Sequence, residues 1–340
     1  MTVSLSDAGC PASLSGGPPV ADCSSISFSV AVCTYNGADR VGKVLEYLYV
    51  QKGTEKFGWE IIVIDNNSSD QTRAVIEHYQ SLWRGSVPVK YCFESKQGLA
   101  FARQRAVEEA RGELIGFLDD DNLPGPDWVA KAFSFAQSRP KAGAYGSYIV
   151  GQFETNPPEN FERIAAFLAL TDRGDKALFY RPQKKLLPPG AGLVVKKQAW
   201  LGNVPKSCFL QGRVAGHQLP GEDLEALLHI QRAGWEVWYN PEMTLLHCIP
   251  SWRLTPEYLL KLCQTIGLSR FYTRMLSVQQ WWLRPAATLA YMGKDLFKVS
   301  HHLIKYRNSL DSDLVALCEL KLYSSSLISP FYLLRKQLGR

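Results

Sequence analysis

No two of the eight cysteines are spaced as CxxC, and none combines with a histidine at zinc-finger spacing. That excludes a metal knuckle or a dithiol redox motif written locally in the sequence. Their scatter, at positions 10, 23, 33, 92, 208, 248, 263 and 318 of 340, reads as reduced core thiols of a cytosolic protein. A basic segment followed by an apolar run is missing from the start, where Ser, Gly and Pro crowd positions 13–19, so the start does not read as a signal peptide. Long apolar runs are missing too. The stretch 322–334 carries no charge but holds Pro330 and four serines, too short and too polar to span a bilayer. The expectation is a cytoplasmic protein, soluble or peripheral on the cytoplasmic face of the membrane. Acid is scarce only at one end: positions 251–340 hold 13 Lys/Arg against 5 Asp/Glu, while the first 250 hold 25 against 27. Basicity confined to the last quarter argues against a nucleic-acid partner and fits contact with phosphate or an anionic membrane.

What is present is a 46% hydrophobic chain whose apolar runs alternate in period. Residues 28–33, 61–64, 89–93 and 114–118 are short continuous apolar runs, each closed by turn residues. Between them lie helical stripes: Val41, Val44, Leu45, Leu48 and Tyr49; then Val75, Tyr79, Leu82 and Trp83; then Leu99, Ala102, Ala106 and Ala110. Strands apolar on both faces, separated by helices, predict an α/β fold with a sheet covered on both sides. Beyond residue 142 the pattern is mixed, with strand-like runs at 144–150, 192–195 and 235–239 and a helix over 222–233 stopped by Gly234. Thr255-Pro256 reads as an N-cap with proline at the first helical position, and helix is expected from there on. One late helix carries Leu289, Met292, Leu296, Val299 and Leu303 on one face and Lys294, Lys298, His301 and Lys305 on the other. A flexible tail over 1–26, a main domain over 27–250 and a basic helical region over 251–340 follow.

Five features could carry chemistry. Phe117-Leu118-Asp119-Asp120-Asp121-Asn122 sets three carboxylates after a buried strand, with no base nearby in sequence to offset their repulsion. Strand ends of open parallel sheets are where ligands bind, and alternate residues share a face, so Asp119 and Asp121 can address one hard cation such as Mg²⁺ or Mn²⁺. The competing reading is a solvated acidic turn. Asp65 also closes a strand; it is a turn cap, or one wall of a crevice with Tyr35 of Thr34-Tyr35-Asn36 as a stacking surface. Gly221-Glu222-Asp223 opens a helix, where acids are favoured by the dipole alone but one could be a general base. Gly190-Ala191-Gly192 permits a close backbone approach, and His247 is a metal or phosphate contact or a satisfied structural histidine.

Taken in order, these segments resemble the family 2 glycosyltransferases, inverting enzymes of the GT-A fold. The resemblance runs over about 28–250 through Ser29 to Asn36, Ile61 to Asp70, Gly98 to Arg103, Gly112 to Asn122, Gly190 to Gly192, Gly221 to Asp223 and Gln231 to Val237. It implies a mixed, Rossmann-like central sheet flanked by helices, with the catalytic domain over 27–250. It also implies that Thr34, Tyr35, Asn36 and Asp65 hold base and ribose, with Arg103 on the diphosphate side. Asp119 and Asp121 become the ends of a DxD motif, with Asp121 on the metal and Asp120 near the ribose; Asp223 becomes the catalytic base, with Glu222 beside it. The segment His247 to Pro256 is similar to members acting in bacterial exopolysaccharide assembly. A QxxRW motif is absent, so a processive synthase is not supported. The expected donor is a UDP- or dTDP-sugar, the acceptor a glycan or lipid-linked glycan. A glycosidase carboxylate pair leaves Asp65 and Tyr35 unexplained, and Leu123 breaks the aspartyl-phosphatase pattern. The turn after the first strand also lacks the glycine-rich loop of nucleotidylyltransferases. A catalytically inactive, nucleotide- or carbohydrate-binding relative stays open.

Overall fold

The computed structural model describes residues 25–83, 87–182, 186–214, 217–278, 280–310 and 312–337. The tail expected over 1–26 lies outside them up to residue 24; Ile26 already belongs to a strand. Strand β1 (Ile26–Thr34), helix α1 (Val41–Tyr49), strand β2 (Gly58–Asp65), helix α2 (Thr72–Leu82), strand β3 (Val89–Phe93), helix α3 (Leu99–Glu109) and strand β4 (Leu114–Asp119) alternate as the periodicity predicts. Then come β5 (Asn122–Pro124), α4 (Trp128–Ser138), β6 (Ala142–Phe153), β7 (Leu178–Phe179), β8 (Val194–Lys196) and α5 (Lys197–Asn203). The hairpin β9 (Gly212–Val214) and β10 (His217–Leu219), helix α6 (Glu222–Arg232) and strand β11 (Glu236–Ile249) complete the sheet region. Three long helices follow: α7 (Pro256–Leu276), α8 (Arg284–Tyr306) and α9 (Leu314–Gln337).

The main sheet runs β3-β2-β1-β4-β8-β6-β11-β5, with β7 also on β11. Its first four strands are parallel, β8 enters antiparallel between β4 and β6, and β6 and β11 are parallel again. Side chains alternate across it. Val30, Val32, Ile61 and Val63 pack with α1, α2 and α4 on one face, and Ala31, Cys33, Ile62 and Ile64 pack with α3, α5 and α6 on the other. Both faces are therefore dry, which is why the strands show no polar alternation in sequence.

Two expectations shift. On α2, Leu82 is 53% exposed and the fully buried anchor is Ile76, one position from the expected stripe. The strand expected over 235–239 is the opening of β11, which continues to Ile249 and carries His247 into the site. The cap at Thr255 is as expected: its Oγ1 accepts the Tyr258 N–H at 3.4 Å, with Pro256 in the first turn.

The last helices share a core with the rest of the chain. Leu259, Leu262 and Cys263 of α7 and Val315, Cys318 and Leu322 of α9 bury with Phe161, Ile164, Leu168 and Ile249. Residue 250 thus marks a change of architecture, not a gap between cores. Buried Gly267 lets α7 and α9 approach: a Cβ there would stand 2.6 Å from the Leu322 carbonyl oxygen and 2.6 Å from the Ser325 Cβ. Gly267→Ala is expected to destabilise the protein by about 1–3 kcal/mol, as overpacking does, read as a lowered thermal midpoint with donor absent.

Candidate active site

The ends of β1 and β2 lie in register, Thr34 beside Asp65, and the turns after them are laced together. Asn36, in the left-handed region at φ 46°, donates its N–H to Ser68 Oγ and accepts the Ser69 N–H on its side-chain oxygen, both at 2.9 Å. Gly37 N–H reaches Thr72 Oγ1 and Ala38 N–H reaches Asp70. The two turns are thereby held side by side, with Tyr35 exposed beside them. Asp65 is buried and its carboxylate accepts from Ser68 N–H and Tyr91 O–H, each at 2.9 Å. The turn-cap role is thus real.

The triplet divides three ways. Asp120 turns back on β1, accepting from Thr34 Oγ1 at 2.7 Å and from Arg40 Nε and Nη2 at 3.2 Å. Gly37 makes that possible, since a Cβ there would fall 2.2 Å from Thr34 Oγ1. Asp119 faces Arg103, an ion pair of 3.6 Å. Asp121 is held by Asn122 Nδ2 at 2.8 Å and by Arg253 Nη1 at 2.9 Å, and its carbonyl receives the Cys248 N–H. Burial raises Asp119, against Arg103 and with the repulsion of Asp121 and Asp120; burial likewise raises Asp120 against its Arg40 bond. Burial pushes Asp121 up as well, but the hydrogen-bonding and cationic groups against it outweigh burial and hold the carboxyl below the usual carboxylate range.

His247 arrives from the strand paired to β5, its backbone beside Asn122. Its Nδ1 lies 2.8 Å from the Leu168 carbonyl, which can only accept, so Nδ1 carries the proton and Nε2 presents its lone pair. That lone pair faces Arg253 Nη1 at 3.0 Å, with Asp121 Oδ2 3.5 Å away. With Nε2 an acceptor, Arg253 is the partner that keeps Asp121 charged. Asp121 and His247 therefore converge on a position already taken by a cationic group. Among the described residues no three His, Cys, Asp or Glu side chains converge as a complete metal set, and Asp119 does not join Asp121 and His247 in one.

The second centre is Arg103, 3% exposed. It joins Asp119 at the end of β4 to Glu222 at the start of α6, 3.0 Å away. Gly190 has to be glycine here, because a Cβ would stand 2.3 Å from the guanidinium. Its N–H donates to Asp223 Oδ2 at 2.7 Å, while the Leu224 N–H holds Oδ1 at 2.8 Å. Asp223 is half-buried; Glu222 is turned inward, and burial together with the Asp223 charge raises it against Arg103. Gly192, at φ 62°, passes its carbonyl to Ser147 Oγ at 2.6 Å. Sequence reasoning missed Arg40 and gave Arg253 no role. The signal was the triplet itself: three acids entering a buried strand end need cations brought from elsewhere in the chain.

The model of the Glycosyl transferase family 2 matches residues 29–199, half of the chain. The chain belongs to that family. A putative teichuronic acid biosynthesis glycosyltransferase TuaG of Bacillus subtilis (strain 168) is 29% identical over 144 residues, 42% of this chain and 55% of that protein. The succinoglycan biosynthesis protein ExoM of Rhizobium meliloti (strain 1021) is 21% identical over 272 residues, 79% of this chain and 81% of the other. The matched part spans about half the length of TuaG and 25% of the uncharacterized glycosyltransferase YfnE of Bacillus subtilis (strain 168). Among solved structures, mannosyltransferase PcManGT from Pyrobaculum calidifontis in complex with GDP-Man and Mn²⁺ aligns with TM-score 0.55 at 16% identity, over 92% of this chain and 90% of the other. At that identity the likeness is one of fold, and the expected GT-A architecture is the one observed.

In this glycosyltransferase family 2 chain, Arg103→Met would leave buried Glu222 and partly exposed Asp119 without their shared cation. A loss of about 2–4 kcal/mol in unfolding free energy is expected, carried mainly by Glu222 and read from the urea midpoint, with Arg103→Lys recovering only part because one ammonium cannot reproduce the fork.

Proposed function

We propose that the protein is an inverting glycosyltransferase that moves one sugar from a nucleoside-diphosphate donor to a glycan or lipid-linked glycan in polysaccharide assembly. The observation that carries this reading is the single buried Arg103 that binds both Asp119, at the donor end of the sheet, and Glu222, next to Asp223. In this reading Arg103 is the diphosphate-side cation, and the partly exposed carboxylate beside its partner Glu222 is Asp223. Relatives named for teichuronic acid and succinoglycan biosynthesis support the polymer context.

In this reading Thr34, Tyr35, Asn36 and Asp65 receive base and ribose, with Asp120 near the ribose and Arg103 toward the diphosphate. A uracil or thymine base would offer an N–H to Asp65, whose two chain-internal bonds leave acceptor sites free. Asp121 and His247 would hold Mg²⁺ or Mn²⁺. The donor set fits: a carboxylate and a histidine lone pair converge where Arg253 now sits, and such ions need only one or two protein ligands beside substrate phosphates. The ion, when bound, neutralises charge growing on the leaving diphosphate. With an ion held there, Arg253 would be free to turn its guanidinium to the phosphates. Asp223 takes the proton of the acceptor hydroxyl as its oxygen attacks the anomeric carbon opposite the leaving group; the new C–O bond forms as the sugar–phosphate bond breaks, inverting the centre. The Gly190 and Leu224 amides fix the carboxylate's direction and leave lone pairs for that proton. Glu222, spent on Arg103, positions rather than reacts.

A panel of UDP-, dTDP- and GDP-sugars with Mn²⁺, followed by thermal shift and donor hydrolysis, is expected to select a UDP- or dTDP-sugar. Asp121→Asn should weaken metal-dependent donor binding. Asp223→Asn should leave binding largely intact and lower kcat by about 10²–10⁴-fold, the worth of general-base assistance. Wild-type turnover in both variants would refute the assignment; donor binding without any turnover in the unaltered protein would favour the inactive-relative reading.

A further inference from the structure

Helix α8 turns two polar residues inward. Its buried residues are Asp295 and His302. Asp295 receives both Nη groups of Arg274 from α7, with Nη2 at 2.9 Å, and His302 Nε2 lies 2.8 Å from the Ala316 carbonyl of α9. Turned to solvent instead are Leu289 (72% exposed), Leu296 (55%), Phe297 (69%) and Ile304 (73%), which share one stripe at helical spacing. Trp281 and Trp282, 72% and 60% exposed, sit just before the helix. A helix packed on a soluble core turns its apolar stripe the other way, and a contiguous exposed stripe of this kind marks an interaction face.

Charge identifies the occupant. Lys294, His301 and Lys305 line one flank of the stripe, all exposed, with Arg284 at the helix start. The one acid of the helix, Asp295, is buried on Arg274, so the exposed charge of α8 is of a single sign. A second copy of the chain would bring the same basic flank and no exposed acid from this helix to meet it. An anionic bilayer supplies what is missing: phosphates for the flank, acyl chains for the stripe and a headgroup boundary for the tryptophans. Among the described residues no helix is long and apolar enough to cross a membrane. We propose that α8, with the Trp281-Trp282 turn, lies in the plane of an anionic phospholipid surface and docks the protein there. The proposal is independent of the transfer reaction, and either can fail alone.

Co-sedimentation of the full chain with phosphatidylcholine vesicles, with and without phosphatidylglycerol, tests it. Binding is expected to the anionic vesicles and to weaken several-fold at high salt. Leu296→Ser with Phe297→Ser should cut partitioning by at least about tenfold. Both side chains are exposed, so the melting temperature should not move, which separates lost binding from lost folding. Lys294→Glu with Lys305→Glu should reduce binding to the anionic vesicles only. Wild-type protein left in the supernatant, or variants that bind as well as wild type, would overturn the proposal. So would a lipid-free dimer by light scattering that Leu296→Ser with Phe297→Ser converts to monomer, since the stripe would then be an interface between copies.

Discussion

Everything around the site depends on how a crowd of carboxylates is offset by cations. Asp119, Asp120, Asp121, Glu222 and Asp223 gather at one edge of a dry sheet, where unpaired ionisation is prohibitive. Three arginines from three distant places answer them: Arg103 from α3, Arg40 from the turn before α1 and Arg253 from the turn after β11. Each reaches more than one partner, which a planar fork can do and an ammonium cannot. Arg103 is the most deeply placed and spans the two halves of the site. Arg253 differs in kind: it reaches both Asp121 and the Nε2 lone pair of His247, joining the triplet to β11.

The parallel half of the fold was legible because buried strands and amphipathic helices have distinct periods, and residues 28–118 show them cleanly. The second half was less so. Strand β8 contributes three residues and runs against its neighbours, and β11 carries a proline and changes register along its length, so neither reads as a continuous apolar run. At the site, the acids were visible as strand-end and helix-start residues. Their arginine partners were not, because nothing in local spacing ties Asp121 to Arg253 or Asp120 to Arg40. Asp65 was open between cap and ligand contact, and its hydrogen bonds show the cap without spending the whole carboxylate.

The C-terminal helices show a different limit. The stripe expected on α8 shares Leu289, Leu296 and Leu303 with the exposed face, but Met292 and Val299 are half-buried and Phe297 and Ile304 lie outside the expected stripe. What meets the protein is Asp295 and His302, on neither expected face, with Asp295 held by Arg274 from one helix earlier.

The shared core of α7 and α9 also has a consequence for biogenesis. The paired turns after β1 and β2 are built from neighbours in sequence and need nothing beyond β4. The clamp of Asp121, His247 and Arg253 instead leans on Leu168 and Ile249, whose cluster is closed by Val315, Cys318 and Leu322. A chain emerging from the ribosome can therefore lace these two turns together early. It cannot close the clamp of Asp121, His247 and Arg253 until α9 has been made, so the two parts would be acquired at different moments of synthesis.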